Sequence, residues 1–415
     1  MSLKILLVSD NCSKKMGGEA ILPYHYFRTL KKKNIDVKLL VHERNRNELE
    51  ELFKEYQSDI YYIKDTKMQM FFWKMGLKLP KMISDATFFT LLYLSSNLRM
   101  KKIAKKIVKE QKIDVVHQVT PVSAKAPSFI YRVNAPVVIG PMNGGMEYPP
   151  EFKKKITFIN EMFHQLGKKS GKILNFIIPG KNKAALLLTA NQRTYNSLKT
   201  VVRNKNIKIE HENGVDLSLW NKSEELAEEN KSEIIYTYVG RLEELKGVHF
   251  LIKSMAEVVK KYNIKLNIIG DGVERENLGN LAKELNIESN INFMGFIPQG
   301  EIPFVLKKSR ALVLPSIYEC GGAVVLEAMA MSKAVIATNW GGPAEYLDGS
   351  CGILVNPESE EKLIKGLEAA LFKLTESKEI AELMGKNGRK KVEENFDWDK
   401  KADKIIAHYK TVAGE

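Results

Sequence analysis

The sequence predicts an α/β protein of two doubly wound, Rossmann-like domains facing a cleft, with a C-terminal helix returning to the first domain. Three observations carry this expectation. Short apolar runs alternate with helix-length amphipathic segments along the 415 residues, the pattern of parallel sheets joined by right-handed crossovers. About ten such runs are too many for one sheet of ordinary size. The turn Asn213-Gly214-Val215-Asp216, followed by the polar run 221–232, divides the series in two.

Taken in order, the first strand is expected at 4–9, and Gly17-Gly18-Glu19 leads from it into a helix at 18–33. Its apolar run is too short for a secretory leader. Strands at 37–42, 115–117, 137–139 and 185–189 follow, with a helix at 97–112. Strands at 233–239, 265–269, 292–294, 311–314 and 334–337 alternate with helices at 247–261, 275–285, 301–309 and 322–331. A last helix, 398–412, comes after the strands have ended and is expected to pack back on the first domain. The domains are therefore drawn as 1–212 with 397–415, and 213–396. In open parallel sheets ligands bind beyond the carboxyl ends of the strands, so the loops at those ends are the ones to read.

Composition narrows the class. Hydrophobic content of 44% supports sizeable cores. Cys12, Cys320 and Cys351 are too few and too scattered for a disulfide framework or a zinc site. No run approaches the roughly 20 apolar residues that span a bilayer; the longest candidate is 86–94. These features are read as a cytoplasmic protein. The net charge of +14 is unevenly spread. Lys74, Lys78 and Lys81 alternate with Phe71, Phe72, Trp73 and Leu77, and Arg99 to Lys109 is a basic helix; 153–155 and 168–183 are basic too. Such interleaving reads as an amphipathic surface on anionic lipid, at the inner face of the cell membrane. A solvated lysine-rich face explains the same residues. Nucleic acid would use the charge as well, but no nucleic-acid motif accompanies it.

The most informative stretch is Pro315 to Ala330. A strand runs into Glu319-Cys320-Gly321-Gly322-Ala323, which opens a helix carrying Glu327. A strand-to-helix turn offers backbone N–H groups and a positive helix end to a phosphate. Carboxylates beside an anion site make sense as acceptors for sugar or ribose hydroxyls. Taken singly, Glu319 is equally an acid near a helix start and Glu327 a solvated helix residue. Gly240-Arg241 with Lys246-Gly247 follows another strand, and Arg241 and Lys246 are spaced to clamp a diphosphate. Gly270-Asp271-Gly272 and Gly341-Gly342-Pro343 mark further turns on that edge. In the first domain, His117 ends a strand and Asn143-Gly144-Gly145 forms a glycine-rich turn.

In order and spacing these motifs resemble the retaining glycosyltransferases of family 4, with the GT-B fold, over nearly the whole chain and most strongly from Gly240 to Glu345. Pro141 to Gly145 and Trp340 to Pro343 resemble bacterial polysaccharide-assembly members more loosely. Many members carry an aromatic residue where this chain has Gly321. The resemblance implies that Arg241 and Lys246 bind the donor diphosphate, that Glu327 holds the ribose, and that Glu319 contacts the transferred sugar. It places His117 near the reacting sugar. Donor contacts are expected from Gly17, Gly18, Gly240, Cys320, Gly321, Gly322 and Ala323, and acceptor contacts from Asn143, Gly144 and Gly145.

The expected activity is transfer of a sugar, expected to be a hexose, from a nucleotide diphosphate sugar to a hydroxyl of a sugar or lipid-linked sugar, in polysaccharide or glycolipid assembly. No Asp-x-Asp motif lies beside the expected donor site, so no metal and no cofactor are expected, with cationic side chains serving instead. Retention is expected through same-face attack, with domain closure excluding water. A nucleotide-sugar epimerase or phosphorylase of the same architecture is the second class, separable by its products. A non-catalytic membrane-surface or nucleic-acid-binding protein is the third.

Overall fold

The computed structural model describes residues 3–16, 18–80, 83–84, 87–155, 171–220 and 233–415. It divides into two compact units. Unit 1 holds Met1–Gly145, Ile159–Glu212 and Ala402–Glu415; unit 2 holds Met146–Phe158 and Asn213–Lys401. The chain thus enters unit 2 at Asn213, while 146–158, read from sequence as part of the first domain, belongs to unit 2.

The strands of unit 1 are β1 (Lys4–Val8), β2 (Asp36–His42), β3 (Ile60–Ile63), β4 (Val115–Gln118), β5 (Val137–Met142), β6 (Leu186–Thr189) and β7 (Ile207–Ile209). They form one parallel sheet in the order β3-β2-β1-β4-β5-β6-β7. The central strands are apolar on both faces because helices cover both sides, as parallel sheets require; Ile5, Leu6 and Leu7 are fully buried. The order reverses between β1 and β4, so the crevice beyond their carboxyl ends is the ligand position of this sheet. The helix Phe88–Gln111 buries Met100, Ala104, Ile107 and Val108 among Leu6, Val8 and Leu40. It begins nine residues before the expected start because its first turns are apolar and only the later ones carry the charge pattern. The last helix, Trp398–Ala413, buries Ala402, Ile405 and Tyr409, and from Ala402 onward it belongs to unit 1.

Unit 2 contains β8 (Ile234–Val239), β9 (Ile264–Ile269), β10 (Ile291–Gly295), β11 (Ala311–Leu314), β12 (Ala334–Thr338) and β13 (Gly352–Val355). They form a parallel sheet in the order β10-β9-β8-β11-β12-β13. Here the reversal falls between β8 and β11. The helices Val248–Val258, Ala323–Ala330 and Glu360–Glu376 supply Phe250, Leu326 and Leu367 to its core. Three strands were not expected from sequence, namely β3, β7 and β13, and each is a sheet edge. Edge strands are short and half-covered, so their apolar pattern is weak.

Candidate active site

At the reversal point of unit 2, the loops after β8 and β11 are locked together through their backbones. Ile317 N–H donates to Leu245 O at 3.1 Å. Gly247 has φ +68, and a side-chain Cβ there would lie 2.3 Å from Pro315 O, so only glycine fits both the conformation and the approach. This lock sets Lys246 against Glu319: Lys246 Nζ donates to Glu319 Oε2 at 2.6 Å, with both side chains largely buried. The other carboxylate oxygen, Oε1, accepts from Gly322 N–H at 3.2 Å, at the N-terminus of the helix Ala323–Ala330. The structure therefore brings together a cation, a carboxylate and a helix N-terminus. Together they offer donors for anionic oxygens and an acceptor for hydroxyls.

Arg241 sits on the same loop but points outward. Its side chain is 73% exposed and its Nη1 lies 2.7 Å from Glu243 Oε1. The Gly270-Asp271-Gly272 turn braces this loop: Leu242 N–H donates to Asp271 O at 2.9 Å and Glu274 N–H to Leu242 O at 3.0 Å. Glu327 does not touch Glu319's partners; it accepts from Gln299 Nε2 at 3.1 Å. Burial pushes its carboxyl up to about 7, against the opposing hydrogen bond from Gln299.

A third loop, after β12, closes over the second. Gly342 N–H donates to Glu319 O at 2.8 Å, and a Cβ at Gly342 would lie 2.3 Å from Gly321 O. Gly321 in turn faces the Asn213 amide, which donates to Tyr346 Oη at 3.0 Å; a larger residue than Gly321 would displace it. Trp340 Nε1 donates to Glu147 O at 2.8 Å, and the Tyr148 and Tyr318 rings meet at 4.7 Å. Residues 146–148 thus line the same loops, which sequence distance conceals. Gln299 was likewise missed; its only signal was its place after β10 on the carboxyl edge. Cys320 and Ala323 lie within the turn and first helical residue, and Gly240 directly follows β8.

In unit 1, Gly18 opens a short 3-10 turn with open space beside its Cα, while Gly17 lies outside the described residues. So do 156–170, part of the basic segments, and the run 221–232. His117 requires a correction. It is fully buried, with Nδ1 2.6 Å from Tyr409 Oη and Nε2 2.6 Å from Gly140 O. Burial pushes its pKa down to about 4. Enclosed and bonded at both nitrogens, the ring offers no free hydrogen-bonding group to a sugar, the role expected of it; it ties the last helix to β4. Asn143 and its neighbours are also engaged internally. Asn143 Nδ2 donates to Glu212 Oε2 at 2.5 Å, and Gly144 N–H donates to Thr194 Oγ1 at 3.0 Å. Gly145, at φ +69, lies against Ser197. These three anchor the helix Gln192–Lys199 and do not present free groups.

The carboxyl edge of unit 1 instead presents Asp10, a residue the sequence reading passed over. It lies two residues past the end of β1, at the reversal point. Burial pushes its carboxyl up to about 6, with Arg44 opposing and Glu19 adding to the shift. Glu19 itself accepts from Val122 N–H at 2.9 Å. Among the described residues no group of three His, Cys, Asp or Glu side chains is placed to hold a metal ion.

Comparison with known proteins fits this geometry. Residues 221–391 match the family described as Glycosyl transferases group 1. An uncharacterized glycosyltransferase of Methanocaldococcus jannaschii is 31% identical over 179 residues, 43% of this chain and 45% of the relative. A glycogen synthase of Mycobacterium tuberculosis is 29% identical over 188 residues, 45% and 44% of the two chains. The chain thus spans about half the length of the relatives it matches here. Among solved structures, Anabaena HepE in complex with UDP superposes with a TM-score of 0.67 at 16% identity, covering 99% of this chain and 100% of that one. The chain has the GT-B fold of two Rossmann-like domains, and its C-terminal region matches the glycosyl transferases of group 1.

Proposed function

We propose that the protein is a retaining glycosyltransferase of family 4 that moves a sugar from a nucleotide diphosphate sugar to an acceptor hydroxyl, in polysaccharide or glycolipid assembly. One observation carries the reading: Lys246, Glu319 and the helix N-terminus at Gly322 converge where the strand order of unit 2 reverses. Without ligand, Lys246 and Glu319 neutralise each other. A donor exchanges these partners, its diphosphate taking Lys246 and its sugar hydroxyls taking Glu319. Lys246 and the helix end then stabilise the charge that develops on the departing diphosphate. Arg241, exposed and paired with Glu243 at the surface, swings onto the same phosphates. Glu327, one and a half turns further along, receives ribose hydroxyls. With these cations no metal is required. Retention follows from same-face attack, the leaving phosphate taking the acceptor's proton.

The acceptor is a sugar or lipid-linked sugar, and the place of action the inner face of the cell membrane. HepE was crystallised with UDP, so UDP is the first nucleotide to test. In a thermal-shift screen of UDP, GDP, ADP and their sugar conjugates without added metal, one nucleotide series is expected to raise the melting temperature. No shift in a folded sample would sink the reading. Release of free sugar phosphate or an epimerised donor instead of a glycoside would favour a phosphorylase or an epimerase.

A further inference from the structure

Among the described residues, nine of the twenty exposed large hydrophobic side chains fall between Met68 and Leu98, and three more between Ile173 and Ile177. Such clustering marks an interaction surface, since scattered apolar residues are the norm. The first group sits on two helices of unit 1. Lys67–Gly76 is capped by Thr66 and Gln69, each bonding the other's backbone. It packs its inner side on Phe88–Gln111, with Trp73 stacked on Phe89 at 5.4 Å and Gln69 Nε2 donating to Ser96 Oγ at 2.8 Å. Its outer side carries Met70, Phe71 and Leu77 with Lys67, Lys74 and Lys78, all exposed. The second helix continues the theme. Leu91, Leu98, Lys102, Lys105 and Lys109 are exposed at helical spacing, so one stripe turns from apolar to basic along its length. Lys101, by contrast, is used internally, 3.5 Å over the Tyr131 ring.

The position of this hairpin is as informative as its composition. The helix Phe88–Gln111 is 24 residues long, about 36 Å, against about 13 Å for the four residues of β4. Its first half therefore overhangs the carboxyl edge of the sheet. Tyr93 Oη donates to Pro127 O at 2.8 Å, on the loop after β4. Burial and the nearby charges of Asp10 and Glu19 push the Tyr93 phenol up. The second apolar group is fixed to that same loop, where Asn175 Nδ2 donates to Lys125 O at 2.9 Å.

We propose that this hairpin is an interfacial element that seats the carboxyl edge of unit 1 on an anionic lipid surface. The apolar side chains enter the headgroup boundary and the lysine stripe meets the lipid charge. In delivering a lipid-linked acceptor beside Asp10 the inference rests on the transferase reading; lipid binding itself does not. An occupying protein would not require a basic stripe continuous with the apolar one, and RNA would not require the apolar one.

The test is sedimentation of the full-length protein with vesicles of phosphatidylglycerol and phosphatidylcholine, compared with phosphatidylcholine alone. Wild type is expected to pellet with the anionic vesicles only, with a blue shift of tryptophan emission from Trp73. The pair Phe71→Ser and Leu77→Ser is expected to abolish pelleting. The set Lys102→Gln, Lys105→Gln and Lys109→Gln is expected to weaken it on the order of 100-fold at low salt. Circular dichroism and melting temperature confirm that both variants fold; if the serine pair does not, the glutamine set decides alone. Wild type remaining in the supernatant, or both variants pelleting like wild type, overturns the proposal. So does a dimer or an RNA complex abolished by the same changes without vesicle binding. Vesicle binding without any nucleotide-induced thermal shift would instead sink the donor reading and leave this one standing.

Discussion

Lys246 and Glu319 form a largely buried ion pair that the proposed donor would have to separate. Each is held at 2.6 Å by the other, and a ligand that offers phosphate and hydroxyls compensates both at once. Lys246→Ala is expected to lower kcat by about 10²–10³, the range for losing one transition-state donor, measured by product formation at saturating donor. Glu327 makes a pH prediction. With its carboxyl near 7 in the free protein, it is largely protonated below that value. On the proposed reading ribose hydroxyls bond the ionised form more strongly, so nucleotide binding is expected to release a proton and affinity to rise as pH climbs towards about 7. Calorimetric titration across that range should show this slope in wild type and not in Glu327→Gln; parallel slopes would remove Glu327 from the site. The His117 pKa is shifted the other way. Its folded pKa, about 4, lies below its ordinary 6.5, so the unfolded chain binds the extra proton between those values. Stability is therefore lost as pH falls from about 6.5 towards about 4. The difference in melting temperature between wild type and His117→Gln should shrink over that window.

At the scale of elements, the site is a contact between loops before it is a set of side chains. Gly247 holds the loop after β8 against Pro315 O, and Gly342 lets the loop after β12 meet Gly321 O. Gly247→Ala combines a left-handed φ with a 2.3 Å approach to backbone, and is expected to cost more than about 1 kcal/mol. Its melting temperature should fall, and its nucleotide-induced shift should fall further than stability alone explains. A full nucleotide shift in a destabilised protein would show that the lock does not position Lys246. The sequence showed these glycines as turn signals. It could not show which turns touch, because a backbone contact over many residues leaves no local pattern.

At the scale of the whole molecule, two parallel sheets, their central strands and the loops bearing Lys246 and Glu319 were legible in the sequence. Apolar runs with turn residues at their ends determine local structure, and strand-turn-helix order determines which edge the loops occupy. Tertiary structure decided the rest. His117 looks like a cleft residue by position, yet Tyr409, nearly three hundred residues later, fills the space against it. Asn143 looks available, yet Glu212 claims its amide. Residues 146–158 precede most of unit 1's second half and still join unit 2. In each case burial and pairing depend on groups distant in sequence. Periodicity fixes which way a side chain leaves its own strand or helix, while what it meets there is set by packing.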